Sequence, residues 1–420
     1  MKSLFSTARS RQLRKTEEGQ TLVLGSVALV VLVLMAAIGV DAGYVYYQKQ
    51  QMQKAADAGA LAAAAALGYQ GNYVEAARHD TSANGFTHGI DGMTVTVNNP
   101  PLTEGDPFYG DSNYVEVIVA QARPTFFMKI ADLYSVNVRS RAVATSVGDA
   151  SGCIYCLDPN SSGTLLVDGN VNLTASCSIY VNSSSPTALV KNGASGSVVV
   201  NAAGYGIGVR GGYSGTGFQP TPVTGIPWFS DPLAGVPAPS YSSCNYTNTD
   251  ITSGTLPQGT YCGGIKIHGN GAVIFSGGLY ILLGGGLTVT GTHALIGNGV
   301  TFYNTGDNSS ASHHYAPIKL TGAAGTNLSA PTTGPLAGIL FFQDRSITDH
   351  ASTSTLDTSV GTYVGALYFP TTSLKFSGSS VIGTSTILVA WQLEFNGNTT
   401  LNANGLSDTG SPIKSPVLVE

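Results

Sequence analysis

From Gly19 to Val40 the chain runs without a single charged side chain, and most of its residues there are Leu, Val or Ala. Wound as a helix rising about 1.5 Å per residue, such a run reaches across the roughly 30 Å hydrocarbon core of a bilayer. A soluble core helix of this length would carry a polar face, and this one has none. Lys2, Arg9, Arg11, Arg14 and Lys15 precede the run and Asp41 follows it. The positive-inside tendency therefore leaves the N-terminus in the cytoplasm and everything after residue 43 outside. Tyr44, Tyr46 and Tyr47 come next, and amphipathic rings suit the level where acyl chains meet headgroups. A cleaved secretory signal is the competing reading, because Ala36, Ala37 and Ala42 supply small residues after a basic start. The length of the run, and a helical pattern that continues past it, favour a retained anchor.

Residues 44–70 read as the same helix carried outward. Gln48 to Lys54 are strong helix formers, and the Ala-rich run from Ala55 to Leu67 carries one charge, Asp57. Its small, smooth surface predicts lateral packing against the chain's own exported part or a partner. Gly39 and Gly43 form a small-xxx-small pair that can seat a neighbouring helix, which makes self-association through the N-terminal helix an expectation.

The ordered combination of Gly19-Gln20, the apolar span, Gly39 to Gly43 with Asp41, and Lys54 to Ala62 with Asp57 resembles the N-terminal module of the TadE/TadG-like proteins of Flp-type pilus assembly. The resemblance covers residues 19–67. It implies a single-pass protein of the bacterial inner membrane, with a periplasmic or extracellular C-terminal domain, that works with Tad/Flp pilus or secretion machinery. Asp41 corresponds to the family's acidic residue at the membrane exit and Asp57 to the one before the Ala-rich stretch. Unlike a type IV pilin, the apolar stretch begins Thr21-Leu22-Val23-Leu24-Gly25 with no Glu at its fifth position, which argues against prepilin-peptidase processing.

Residues 71–148 predict a small α/β module. A helix is expected over 71–83 and strands over 93–97, 114–120 and 136–147, with a short helix opened by Pro124 and running through Phe126, Phe127, Met128 and Ile130. The stretch 100–109 reads as a surface loop. After residue 148 short β-prone runs alternate with Gly and Asn turns, and side chains alternate with a period near two. Ile265 and Leu287 occupy similar Gly-flanked settings, and the interval between them fits one coil of a right-handed parallel β-helix over 149–420. An antiparallel sandwich is the competitor. The expected fold class is thus α+β: a transmembrane helix over 19–43 behind a basic segment 1–18, the helical continuation, the α/β module, and a large β-rich domain.

Composition supports an exported scaffold: charged residues make up 10% of the chain, against about 25% in ordinary soluble proteins, and Gly occurs 53 times. A net charge of -5 with no basic stripe beyond residue 15 speaks against nucleic acid as a partner. Five cysteines, Cys153, Cys156, Cys177, Cys244 and Cys262, fall on the exported side, and the expected pairs are 153 with 177 and 244 with 262, leaving Cys156 free. Cys153 and Cys156 have redox-motif spacing but strand-like flanks instead of a helix start. No zinc-cage spacing, phosphate loop or dinucleotide fingerprint occurs. His313-His314 reads as solvated loop, and Asp344-Arg345 as a turn or edge ion pair, with Asp349 and Asp357 beyond. No catalytic, cofactor or metal residue is assigned. The reading is a noncatalytic, membrane-anchored assembly component, with a carbohydrate-active envelope enzyme and a surface adhesin as alternatives.

Overall fold

The computed structural model describes residues 18–420 apart from 70, 149–151, 308, 310–312, 379–380, 385 and 407–409. The described residues form two compact units, one within 18–63, 74–144 and 418–420 and the other within 64–73 and 145–417.

In the first unit, helix α1 (Glu18–Gly68) begins with the apolar stretch, and no residue of its most apolar 18-residue window is buried. Its middle behaves differently. Met52, Ala55, Ala56, Ala60 and Ala63 are fully buried and recur every three to four residues, so one face of the helix is covered. Opposite it lie α2 (Tyr73–Ala83) and a sheet in which β1 (Thr94–Asn98) pairs antiparallel with β2 (Tyr114–Pro124) and β2 lies beside β3 (Ser135–Gly148). The approach is close: a Cβ added at Gly59 would stand 2.7 Å from Thr81 Cγ2 and 3.4 Å from Val117 Cγ1. The Ala-rich surface thus packs on the chain's own α/β module. Gln53 Nε2 donates to the Arg141 carbonyl (2.8 Å) and Ser140 Oγ to that of Lys49 (3.1 Å), which fixes the register of helix on strand. Pro124, expected to open a short helix, is instead the last residue of β2, an end position where the missing N–H breaks no ladder. Only a single 3-10 turn follows, at Met128–Ala131.

The second unit is dominated by a sheet of 24 strands in which every described pairing is parallel. Each pass of the chain lays down three strand segments. Those at 278–283, 287–290 and 294–298 pair on one side with segments of 259–275 and on the other with 300–305, 319–321 and 327–329. Ile265 and Leu287 are direct register partners and both are buried. Parallel neighbours exclude the antiparallel sandwich, since consecutive strands joined by hairpins would run opposite ways. Aromatic side chains stack from layer to layer: Tyr246, Tyr261, Tyr280, Phe302 and Phe341 follow one another with centroids 4.6–5.9 Å apart.

The layers are not stacked in sequence order. The first pass, residues 152–175, pairs on one side with 178–200 and on the other with the last pass, 386–403. The chain therefore enters at mid-stack and builds outward to Val223–Thr224 at one end. A strap, 225–245, then leads to Tyr246–Ile251 at the other end, and the chain returns inward. A strap of about twenty extended residues can span about 70 Å, against roughly 50 Å for a stack of ten or so layers. Within 217–248, read from sequence as one irregular loop, the ends at 218–219, 223–224 and 246–248 are strand.

The cysteines pair as expected, Cys153 with Cys177 and Cys244 with Cys262, and Cys156 is free and buried. Each bridge ties adjacent layers, the second one at the stack's far end, where it also holds the strap.

Candidate membrane-exit site

Where α1 leaves its apolar stretch, Asp41 is 1% exposed although its helical neighbours are open to the surroundings. Its carboxylate accepts three successive backbone amides, from Phe126 (2.8 Å) to Oδ1 and from Phe127 (2.9 Å) and Met128 (2.7 Å) to Oδ2. This is the arrangement by which a carboxylate satisfies the orphan donors at the start of a helical turn, supplied here from a residue far away in sequence. The neck of the loop is closed by Thr125, whose amide donates to the Tyr134 carbonyl (3.1 Å) and whose hydroxyl donates to that of Leu133. Tyr44 meets Phe126 edge-on with centroids 5.1 Å apart. The loop thus held presents Phe126, Phe127, Ile130, Leu133 and Tyr134 outward, all exposed.

Position alone singles out Asp41 in the sequence, and nothing there points to its partner loop. Asp57, the other matched acid, accepts a hydrogen bond from Gln53 Nε2 (2.7 Å) within its own helix. Gly39 and Gly43 have open space where a Cβ would stand, so the small-residue face is uncovered among the described residues.

Asp41→Ala leaves three amides unsatisfied against the helix. Charge-assisted hydrogen bonds of this kind contribute roughly 1.5–3 kcal/mol, and the loop is expected to loosen by about that amount. Hydrogen exchange at the amides of Phe126, Phe127 and Met128 should accelerate at least tenfold, with amides of β1 unchanged; unaltered exchange at all three would show that the carboxylate does not hold the loop.

A second cluster lies in the same unit. Glu116 is fully buried on β2 and accepts hydrogen bonds from Thr103, Asn98 Nδ2, the Leu102 amide and Arg141. Arg141 also pairs with Asp106 and Glu420. Burial pushes the Glu116 carboxyl up, but these donors outweigh it and hold it at about 2. The stretch 100–109, read from sequence as a plain surface loop, thus closes an ion cluster.

In the β-sheet unit two of the acids singled out from sequence each serve a local turn. Asp344 takes Thr305 Oγ1 (2.6 Å) and the Ser346 amide, and Asp349 takes Ser352 and Ala351. Of the two expected readings of Asp344-Arg345, the turn is found and the ion pair is not. The Arg345 guanidinium donates to the Leu233 (2.5 Å) and Val236 (2.9 Å) carbonyls and to the Tyr368 hydroxyl (2.6 Å), pinning the strap, with Asp231 4.0 Å away. A loop carbonyl aimed at a fixed fork outcompetes an adjacent carboxylate that its own turn has already saturated. Cys153 bonds to Cys177 and not Cys156, whose thiol is pushed up by burial, so the redox-motif spacing brings no pair together. His313 is no plain solvated residue: Nδ1 faces Asp307 (3.0 Å) and Nε2 lies 4.0 Å from Cys244 Sγ. Cys244, Cys262 and His313 have donor atoms within 4.8 Å of one another, but metals take thiolates and both sulfurs are joined in a disulfide.

Comparison with known families bears on the helix that carries this site. The family model of Flp pilus-assembly TadE/G-like proteins matches residues 19–66. The match takes in the apolar span, Asp41 and Asp57, and ends before the first β-strand. No curated protein and no solved structure was found to match the chain.

Proposed function

We propose that this chain is a noncatalytic, membrane-anchored component of a Flp/Tad-type pilus assembly or tight-adherence secretion system, which carries a right-handed parallel β-helix as a stiff interaction surface outside the cytoplasm. The observation that carries the reading is α1 itself: an uncovered apolar stretch long enough to cross a bilayer, within the segment that the family model matches, and followed by a buried carboxylate that locks the exported module to the exit. The basic residues before the span support a cytoplasmic N-terminus and an exported remainder of the chain. Two disulfides suit an oxidising compartment. The β-helix is supported by three strand segments per pass, parallel pairing, and the register partnership of Ile265 with Leu287 on consecutive passes. Stiffness follows from layers that each pack on their neighbours. The noncatalytic reading rests on Asp344 and Asp349 serving local turns. Partners are the machinery of the pilus and the lipid bilayer, with self-association open to the uncovered Gly39–Gly43 face.

The test is a C-terminal fusion in the native bacterium. Alkaline phosphatase fused after Glu420 should be active, the full-length chain should stay with membranes after alkaline extraction, and deletion of the gene should abolish Flp pili until the full chain is restored. A soluble cytoplasmic chain, or normal pili in the deletion strain, would overturn the reading.

A further inference from the structure

The anchor and the loop held by Asp41 enclose a cleft of about 320 Å³. Its walls are Leu34 and Ile38 of α1 on one side and Phe127, Ile130 and Leu133 of the loop on the other, and its lining is almost wholly apolar. Leu34 lies two helical turns before Asp41, about 10 Å down the helix axis, so the loop folds back beside the apolar stretch instead of away from it. Ile130, at its tip, is 81% exposed. A soluble surface does not ordinarily gather so many large apolar side chains on one short loop and leave them uncovered.

Resting on the anchoring reading above, we propose that this cleft is a lipid-binding site: phospholipid acyl chains of the leaflet on the exit side fill it, and the tip of loop 125–134 is seated among them. Three features fit lipid as the occupant. The cleft is continuous with a helix face that the anchor must itself present to acyl chains. The loop's backbone is prepared for a place without water: amides of Thr125, Phe126, Phe127, Met128, Ile130, Asp132 and Leu133 all donate within the unit, four of them inside the loop and three to Asp41. Each amide paired in this way removes a polar group that acyl chains cannot satisfy, so the loop's apolar tip can be seated where acyl chains meet headgroups. Lys129 is exposed in the same turn as Ile130, and a long cationic side chain can bury its stem while its ammonium reaches the phosphates. Tyr44 and Tyr134 flank the loop with rings suited to the headgroup level.

The experiment uses the full chain in nanodiscs, with Trp228 and Trp391 replaced by Phe and single tryptophans introduced as Ile130→Trp, Leu32→Trp and Leu102→Trp. Phosphatidylcholine brominated along its acyl chains is the quencher. Emission from the Ile130→Trp and Leu32→Trp proteins should fall at least twofold relative to unbrominated lipid, and that from Leu102→Trp should not change. Quenching at position 32 without quenching at 130 would overturn the lipid site and leave the anchor standing. No quenching at either would overturn both. If an unquenched tryptophan at 130 came with a crosslinked dimer through Ile130→Cys, the cleft would belong to a second copy of the chain, and the proposal would fall. Ile130 touches little of the fold, so the substitution leaves folding undisturbed, and unchanged exchange at the Phe126–Met128 amides would verify this.

Discussion

Phe302→Ala is expected to destabilise the β-sheet unit by about 4 kcal/mol. Phe302 is fully buried and stands in the middle of the aromatic column, with Tyr280, Phe275 and Phe341 all within 5.2 Å between centroids. Tyr280 and Phe341 are also its register partners in the layers above and below. Truncation removes the buried ring and leaves a hole that two neighbouring layers share. Phe→Ala substitutions in cores cost about 3–5 kcal/mol for that reason, and a stack locked by backbone ladders on both sides cannot collapse to fill the space. Both tryptophans of the chain, Trp228 and Trp391, belong to this unit, so their fluorescence during urea denaturation reports it directly. The midpoint should fall markedly, whereas Tyr205→Ala, at an exposed position, should stay within about 0.5 kcal/mol of the parent. Equal midpoints for the two variants would mean that the column does not carry the stack.

Arg141→Met should be comparably damaging to the first unit, with a distinctive dependence on pH. Glu116 is buried, and without Arg141 its carboxylate is left uncompensated, a change that costs about 3–5 kcal/mol. In the parent protein the Glu116 carboxyl sits at about 2, against about 4.5 in an unfolded chain. A depressed carboxyl stabilises the fold fully above the unfolded value, and that contribution is lost as pH falls from about 4.5 through about 2. In the variant Thr103, Asn98 and the Leu102 amide still donate to the carboxylate, but the guanidinium no longer helps them oppose burial, so the carboxyl is depressed less. The gap between parent and variant should be widest near pH 7 and should shrink as pH falls through about 4.5 towards about 2, where Glu116 becomes protonated in both. Thermal unfolding followed by exchange of the Val115–Val119 amides would measure this. The double variant Glu116→Gln with Arg141→Met should recover part of the loss at neutral pH. A destabilisation independent of pH would place the role of Arg141 in packing instead of charge.

Much of the fold is readable from residue patterns, and the limits of that reading have physical causes. The membrane span is legible because length and absence of charge are what a bilayer selects for. The strands of the large unit are legible because alternation with period two is local, and Ile265 with Leu287 shows the repeat because those passes are consecutive. The docking of the last pass on the first is not legible in this way, since alternation does not encode which neighbour a strand adopts. One signal is present. Val167 to Leu173 and Phe395 to Leu401 both carry Gly-Asn at their third and fourth places, and Gly169 pairs with Gly397 while Asn170 donates to Asn398 (3.2 Å). These glycines have φ of +91° and +82°, and a Cβ at Gly169 would stand 2.8 Å from the Gly397 carbonyl, so the corner admits no side chain. Matching corner residues across distant passes exposes the order. The membrane-exit site is half legible. Asp41 draws attention by position, but its partners are backbone amides, which have no sequence signature. The same blindness applies to Arg345, whose acceptors include carbonyls of the strap.

The mid-stack entry governs how this protein can be made. Ile154 and Leu388 are neighbours although they lie near opposite ends of the β-sheet unit's sequence, so its first pass emerges from the ribosome long before the strand that will cover its edge. Until residues 386–403 arrive, that early block presents a raw ladder of amides and carbonyls of the sort that invites pairing with other chains. Closure across so long a loop is also slow. A chain built this way gains from staying unfolded until it is complete, and from a chaperone that guards the open edge until the tail arrives and completes the joint.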